Sequence, residues 1–212
     1  MNSVLIACAW TAVGAAAGWV VRWGSVRLAR LEGLEPGEKR WQVYGPPLLS
    51  GVLFAAFALE ATSFPLLLLH SVFVLVLVQV IFFDFEHRLI LDRVMFPAMA
   101  LALVVSFFDA PWWAGLATGV AAGLLFLLLA VAGAAIFKGE ALGFGDVKLA
   151  AFMGLLLGPL PVIQAIFYGV FFAGVVSVGV ILWRRSMRGT IAYGPYLAAG
   201  ALVTLFLLER GQ

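Results

Sequence analysis

Eight apolar runs, separated by short polar breaks, set the rhythm of the chain. They cover Val4 to Val21, Pro47 to Leu59, Phe64 to Phe83, Leu91 to Phe108, Trp112 to Phe137, Leu149 to Gly158, Pro161 to Trp183 and Ile191 to Leu208. A helix that crosses a bilayer needs about 20 predominantly apolar residues. The runs at Pro47 and Leu149 fall short, so their ends must borrow flanking polar residues or be compensated by neighbours. The pattern predicts an all-α, polytopic membrane helical bundle of about eight transmembrane helices, a single membrane domain over residues 1–212. Counted from Gly145 to Gly158, the sixth run has 14 residues. That is about 21 Å of helix at about 1.5 Å per residue, against a hydrocarbon core of about 30 Å. With Pro159 and Pro161 at the far surface, Asp146 is expected several ångströms below the near one.

Composition agrees with the pattern. Hydrophobic residues make up 64% of the chain and charged residues 11%, with a mean hydropathy of +1.10. A soluble domain carries about 25% charge, so that class is excluded. Cys8 is the single cysteine, which rules out an intramolecular disulfide and a cysteine-based zinc site. His70 and His87 are the two histidines, too few for a His-rich metal site, and no metal or organic cofactor is expected. The first run has no Lys or Arg before it, unlike a signal peptide with its basic leading region. Ala15-Ala16-Ala17 imitates a cleavage site, but Arg22, Arg27 and Arg30 follow. The run reads as a retained span with its N-terminus outside.

The distribution of charge then orients the bundle. Eight spans from an outside N-terminus put 12 of the 13 Lys and Arg residues in near-side loops, leaving Arg210 on the far side. The positive-inside rule makes the near side cytoplasmic, in the cell's inner membrane. Trp112, Trp113 and Trp183 fall at span ends, as an aromatic belt places them. The longest polar segment, Arg22 to Pro46, is then a cytoplasmic loop. It reads as a solvated connector with room for one short surface helix, at Val26 to Leu31, and not for a folded domain.

Two aspartates come out on the cytoplasmic side. Asp84 ends the third span, and Asp146 opens the sixth within Gly143-Phe-Gly-Asp146-Val-Lys148. Gly143 and Gly145 allow backbone angles closed to other residues and the close approach of another chain. Ionisable residues in or at a membrane mark functional sites by default. Two carboxylates in matching settings can share one proton and activate a water. The bland alternative is that both are helix caps, since Asp is favoured at helix starts.

The segments Asp84-Phe-Glu-His-Arg-Leu-Ile-Leu-Asp92, Gly143-Phe-Gly-Asp146-Val-Lys148 and Tyr193-Gly-Pro-Tyr-Leu197 together resemble the type IV prepilin peptidases, membrane aspartic proteases of the Gly-x-Gly-Asp class. The resemblance runs from about Phe64 to Leu202. It implies that Asp84 and Asp146 are the catalytic pair, with no cofactor for proteolysis. It also implies that the partners are prepilins or pseudopilins, cut after a glycine between a basic leader and an apolar helix, together with the lipid bilayer and no nucleic acid. Many bacterial members carry a cytoplasmic domain with two Cys-x-x-Cys pairs that bind zinc and also methylate the new N-terminus from S-adenosylmethionine. Here the cysteine-free loop at 22–46 stands in that place, so methyltransferase activity is not expected. The family's Ile-Pro-Asp is Ile90-Leu91-Asp92 here, a change at the entry to the fourth span.

The remaining polar residues keep two readings each. Glu86 and Glu140 either attract a basic leader or are solvated. Asp92 either caps the fourth span or takes part in chemistry. Lys148 either pairs with a carboxylate or snorkels to the headgroups. His70 reads as a hydrogen-bonded packing residue, and Gly194-Pro195 as a kink or a helix start. A small transporter that binds protons or cations on buried carboxylates is the competing class. It would show internal repeats and midplane sites, and neither is evident.

Overall fold

The computed structural model describes residues 3–108, 111–137, 142–184 and 192–211. Among them the chain forms eight helices and no strand: α1 (Ser3–Leu31), α2 (Arg40–Glu60), α3 (Phe64–His87), α4 (Asp92–Ser106), α5 (Ala114–Phe137), α6 (Phe144–Leu157), α7 (Pro159–Arg184) and α8 (Gly194–Arg210). This is the helical membrane bundle that the apolar runs predict. By length and composition α1, α2, α3, α5 and α7 can each cross a membrane, whereas α4, α6 and α8 have 15, 14 and 17 residues. The short run at Pro47 becomes a full-length helix by drawing in polar residues from Arg40 onward. The run at Leu149 stays short. The chain divides into two compact units, Met1–Arg88 with Leu205–Gln212, and Leu89–Thr204.

In the first unit α1 and α2 pack through small residues, as membrane helices do. A Cβ on Gly14 would lie 2.6 Å from the Ser50 carbonyl oxygen and 2.7 Å from Phe54 Cβ, and one on Gly18 would strike Pro46 and Pro47. α1 does not end at Arg22. It runs on to Leu31, where Gly33 turns left-handed at φ 71°. There the Leu34 N–H donates to the Ala29 carbonyl at 2.8 Å and the Gly33 N–H to Arg30 at 3.2 Å, a Schellman stop. α2 begins before its prolines, where the Gln42 side chain accepts the Lys39 backbone N–H at 2.9 Å. The connector expected over Arg22 to Pro46 is therefore confined to residues 32–39. Its flanks are helical because they have partners: Ser25 Oγ donates to Gln79 Oε1 at 2.9 Å, and Arg22 pairs with Glu86.

These bonds, with Trp10 Nε1 donating to Ser71 Oγ at 3.0 Å, lay α1 beside α3 in the same direction. At the opposite end of α3, His70 Nδ1 lies 2.7 Å from Glu209 Oε2. The Phe57 and Phe206 ring centroids are 5.5 Å apart. The C-terminal end of α8 thus sits with the end of α2 and the start of α3. His70 is indeed a buried packing residue, and Glu209 is its partner.

In the second unit α5 and α6 touch almost backbone to backbone. A Cβ on Gly154 would meet the Thr118 carbonyl oxygen at 2.6 Å and Gly119 Cα at 2.7 Å; one on Gly119 would meet Leu155 Cγ at 2.7 Å. α7 and α8 approach in the same way, a Gly169 Cβ falling 2.9 Å from Leu197 Cα. Gly158, left-handed at φ 74°, ends α6, and α7 opens at once on Pro159. α8 starts at Gly194 with Pro195 in its first turn, so that pair is a helix start. Leu91 precedes α4 at φ −74° and ψ 125°, close to the angle a proline imposes.

Candidate active site

Asp84 belongs to the first unit and lies in the last turn of α3, at the end of that helix as the sequence suggests. Burial leaves it 5% exposed. Its backbone carbonyl accepts the N–H of Arg88 at 2.8 Å, and Arg88 closes the helix in the left-handed region at φ 54°.

Two residues on, Glu86 is neither solvated nor free to attract a leader. Its Oε2 lies 3.1 Å from Arg22 Nη1, its Oε1 accepts the Gly37 backbone N–H, and His87 Nε2 approaches the same oxygen at 3.3 Å. Arg22 Nη2 in turn donates to the Gly37 carbonyl. Both readings of Glu86 are thus corrected: an arginine from α1 and a backbone amide from the connector already occupy the carboxylate.

Asp146 belongs to the second unit and sits in the first turn of α6, 9% exposed. Its backbone N–H donates to the Gly143 carbonyl at 3.1 Å, and Gly143 caps the helix at φ −71° and ψ 146°. Neither Gly143 nor Gly145 has a positive φ, so the expectation of unusual backbone angles is not met at either. At Gly145 the close neighbour is this chain's own Ile90, whose Cβ would lie 2.9 Å from an added Cβ. At Gly143 an added Cβ would find only ordinary contact, 3.6 Å from an Asp146 carboxylate oxygen.

Lys148 resolves toward pairing. Its Nζ binds Asp92 Oδ1 and lies over the rings of Phe144 and Phe96, 4.9 and 5.4 Å from their centroids. Asp92 opens α4 as its first residue, and its carboxylate goes to Lys148, so it is neither a side-chain cap nor an isolated acid. Glu140 lies outside the described residues.

Among the described residues Asp84, Asp146 and Glu209 are buried as whole residues, and the Glu86 side chain is enclosed as well; Glu209 has His70 beside it. No group of three or more His, Cys, Asp or Glu among them is gathered to hold a metal ion. Sequence reasoning missed Arg22, Gly37 and Glu209. By pattern Arg22 is a loop charge, although an arginine following an apolar run can also continue the helix. Glu209 could have been sought as the partner that a lone mid-span histidine requires.

Comparison with known proteins supplies the context. The profile of the type IV leader peptidase family matches residues 71–178, half of the chain and both aspartates. A prepilin leader peptidase/N-methyltransferase of Bacillus subtilis (strain 168) is 34% identical over 164 residues, 74% of this chain and 62% of the relative. One of Escherichia coli (strain K12) is 31% identical over 178 residues, 75% of this chain and 64% of the relative. One of Burkholderia pseudomallei (strain K96243) is 36% identical over 91 residues, 42% and 29% of the two chains. The chain spans less than two thirds of the length of these curated relatives. No solved structure matches it. With half of its length inside the family profile, the chain belongs to the type IV leader peptidase family.

Proposed function

We propose that the protein is a membrane aspartic endopeptidase that removes the basic leader from type IV prepilins or pseudopilins at the cytoplasmic face of the inner membrane. The observation that carries this reading is a pair of buried aspartates, Asp84 and Asp146, inside the family-matched segment. Peptide hydrolysis by two carboxylates needs one ionised and one protonated. The ionised one takes a proton from water as the oxygen attacks the scissile carbonyl carbon. The protonated one donates to the carbonyl oxygen. Collapse of the tetrahedral intermediate breaks the C–N bond as the oxygen returns its proton to the second carboxylate, and the departing nitrogen takes up a proton from the acid now formed. Neither a metal nor an organic group is part of this chemistry.

Methylation is not part of the proposal. The relatives' names include an N-methyltransferase, but here the segment between α1 and α2 is residues 32–39, held down through Gly37. That is too short to enclose a methyl donor and a peptide amine. Mass spectrometry of a substrate processed with S-adenosylmethionine present should show an unmodified N-terminus. A gain of one methylene would contradict this.

The protein purified in detergent should cut a peptide of basic leader, glycine and apolar segment after the glycine, and EDTA should not change the rate. Asp84→Asn and Asp146→Asn should each lower cleavage by roughly 10²–10⁴-fold, the span of general acid–base catalysis, while still inserting and folding. Full activity in either variant removes the two-aspartate mechanism.

A further inference from the structure

The peptidase reading uses Asp84 and leaves unexplained the closed set of contacts two residues away. Arg22 Nη1 lies 3.1 Å from Glu86 Oε2, Arg22 Nη2 donates to the Gly37 carbonyl, and the Gly37 N–H donates to Glu86 Oε1. Each of the three thus touches the other two. The Arg22 and Glu86 side chains are only 10% and 6% exposed. Gly37 is tied to the start of α2 as well, since a Cβ there would strike the Gln42 side chain, which caps α2 through Lys39.

A buried ion pair adds little net stability over an apolar replacement, so its presence is better explained by the geometry it fixes. That geometry lies at a vulnerable place. The last turn of a helix is the part most prone to fray, and α3 ends at His87 with Arg88 already left-handed. Asp84 stands in that last turn.

We propose that Arg22, Glu86 and Gly37 form a positioning clasp, through which α1 and the 32–39 connector hold the Asp84 end of α3 in its working geometry. The proposal rests on the role given to Asp84 above. Glu86 is a positioning residue and does not touch substrate, because both its oxygens are occupied within the protein. The connector becomes a working part of the enzyme and not a mere link.

The test uses the full chain in detergent, with kcat and KM measured on the leader–glycine–apolar peptide and thermal unfolding followed in parallel. Small misplacements of a reacting group cost up to about 10²-fold in rate. Glu86→Gln and Arg22→Gln should therefore lower kcat about 10–100-fold with KM nearly unchanged, while still melting above the assay temperature. Arg22→Lys, which keeps the charge and one donor, should fall between them and the wild type. It carries the test if the other two do not fold, and wild-type kcat in Arg22→Lys then overturns the clasp. Lowered melting with unchanged kcat per folded molecule would make the contacts merely structural. A raised KM with unchanged kcat would place Glu86 on the substrate, and either result overturns the proposal. Asp84→Asn is the control that separates the two ideas. If it stays active, the peptidase mechanism fails; if it is inactive while Glu86→Gln and Arg22→Gln match the wild type, only the clasp fails.

Discussion

In the first unit the charged residue two positions after the candidate aspartate turns inward, and in the second it reaches toward an exposed partner. Glu86, two residues after Asp84, is enclosed with Arg22. Lys148, two residues after Asp146, reaches out to an Asp92 side chain that is 53% exposed. The first unit adds another buried pair, His70 with Glu209, at the far end of α3. The second is instead drawn together by glycines, with α5 against α6 and α7 against α8 at backbone distance. A helix end can thus be fixed either by a few specific polar bonds or by dense contact of small residues. The first kind breaks abruptly when one partner is lost, whereas the second fails only when volume is added.

That contrast can be broken at three places. The largest effect is expected from Glu209→Ala, which leaves His70 facing an empty site. Leaving a buried polar group without its partner costs roughly 1–3 kcal/mol, and the cavity left by the fully buried Glu209 side chain adds to it, to be read as a loss of unfolding free energy in detergent. A loss under 1 kcal/mol would show that the first unit does not depend on its buried pairs. Next comes Gly154→Ala in the second unit. The new methyl would meet the Thr118 carbonyl and the Gly119 backbone, which cannot swing aside. Overpacking of this kind costs typically about 1–3 kcal/mol, and an unchanged melting temperature would count against the glycine account. The smallest effect is expected from Asp92→Asn. An exposed pair contributes about 0.2–1 kcal/mol, so stability should barely move and the remaining effect should shrink further in high salt. A loss as large as that of Glu209→Ala would erase the distinction between the units.

Much of the fold was legible because apolar run length is a direct consequence of bilayer thickness. All eight runs became helices, and α5 and α7 keep nearly their expected bounds. The errors cluster where charge or proline was taken as a boundary. Arg22 looked like the end of a span, but the true stop is Gly33, whose left-handed turn was readable as a glycine after a helical stretch. Pro46 and Pro47 looked like a start, yet α2 contains both. Prolines are tolerated inside membrane helices where neighbours adjust to them, and Gly18 gives these room. At the site, the two aspartates stood out because carboxylates are rare in such a sequence. The partners of Glu86 and Lys148 did not, since Arg22 lies 64 residues from Glu86 and Asp92 lies 56 from Lys148. Pairings of that range are set by packing and not by local pattern.

The shortness of α4 and α6 has a consequence for the supply of reactant. Helices of 15 and 14 residues rise about 22 and 21 Å, some way short of a hydrocarbon core of about 30 Å. Lipid beside short helices thins, or the protein lets polar solvent reach inward. Hydrolysis consumes one water for every bond cut, and the interior of a bilayer is nearly dry. Asp146 stands in the first turn of the shorter of these two helices, and a bilayer thinned beside α6 would bring water toward the residue whose proposed task is to use it.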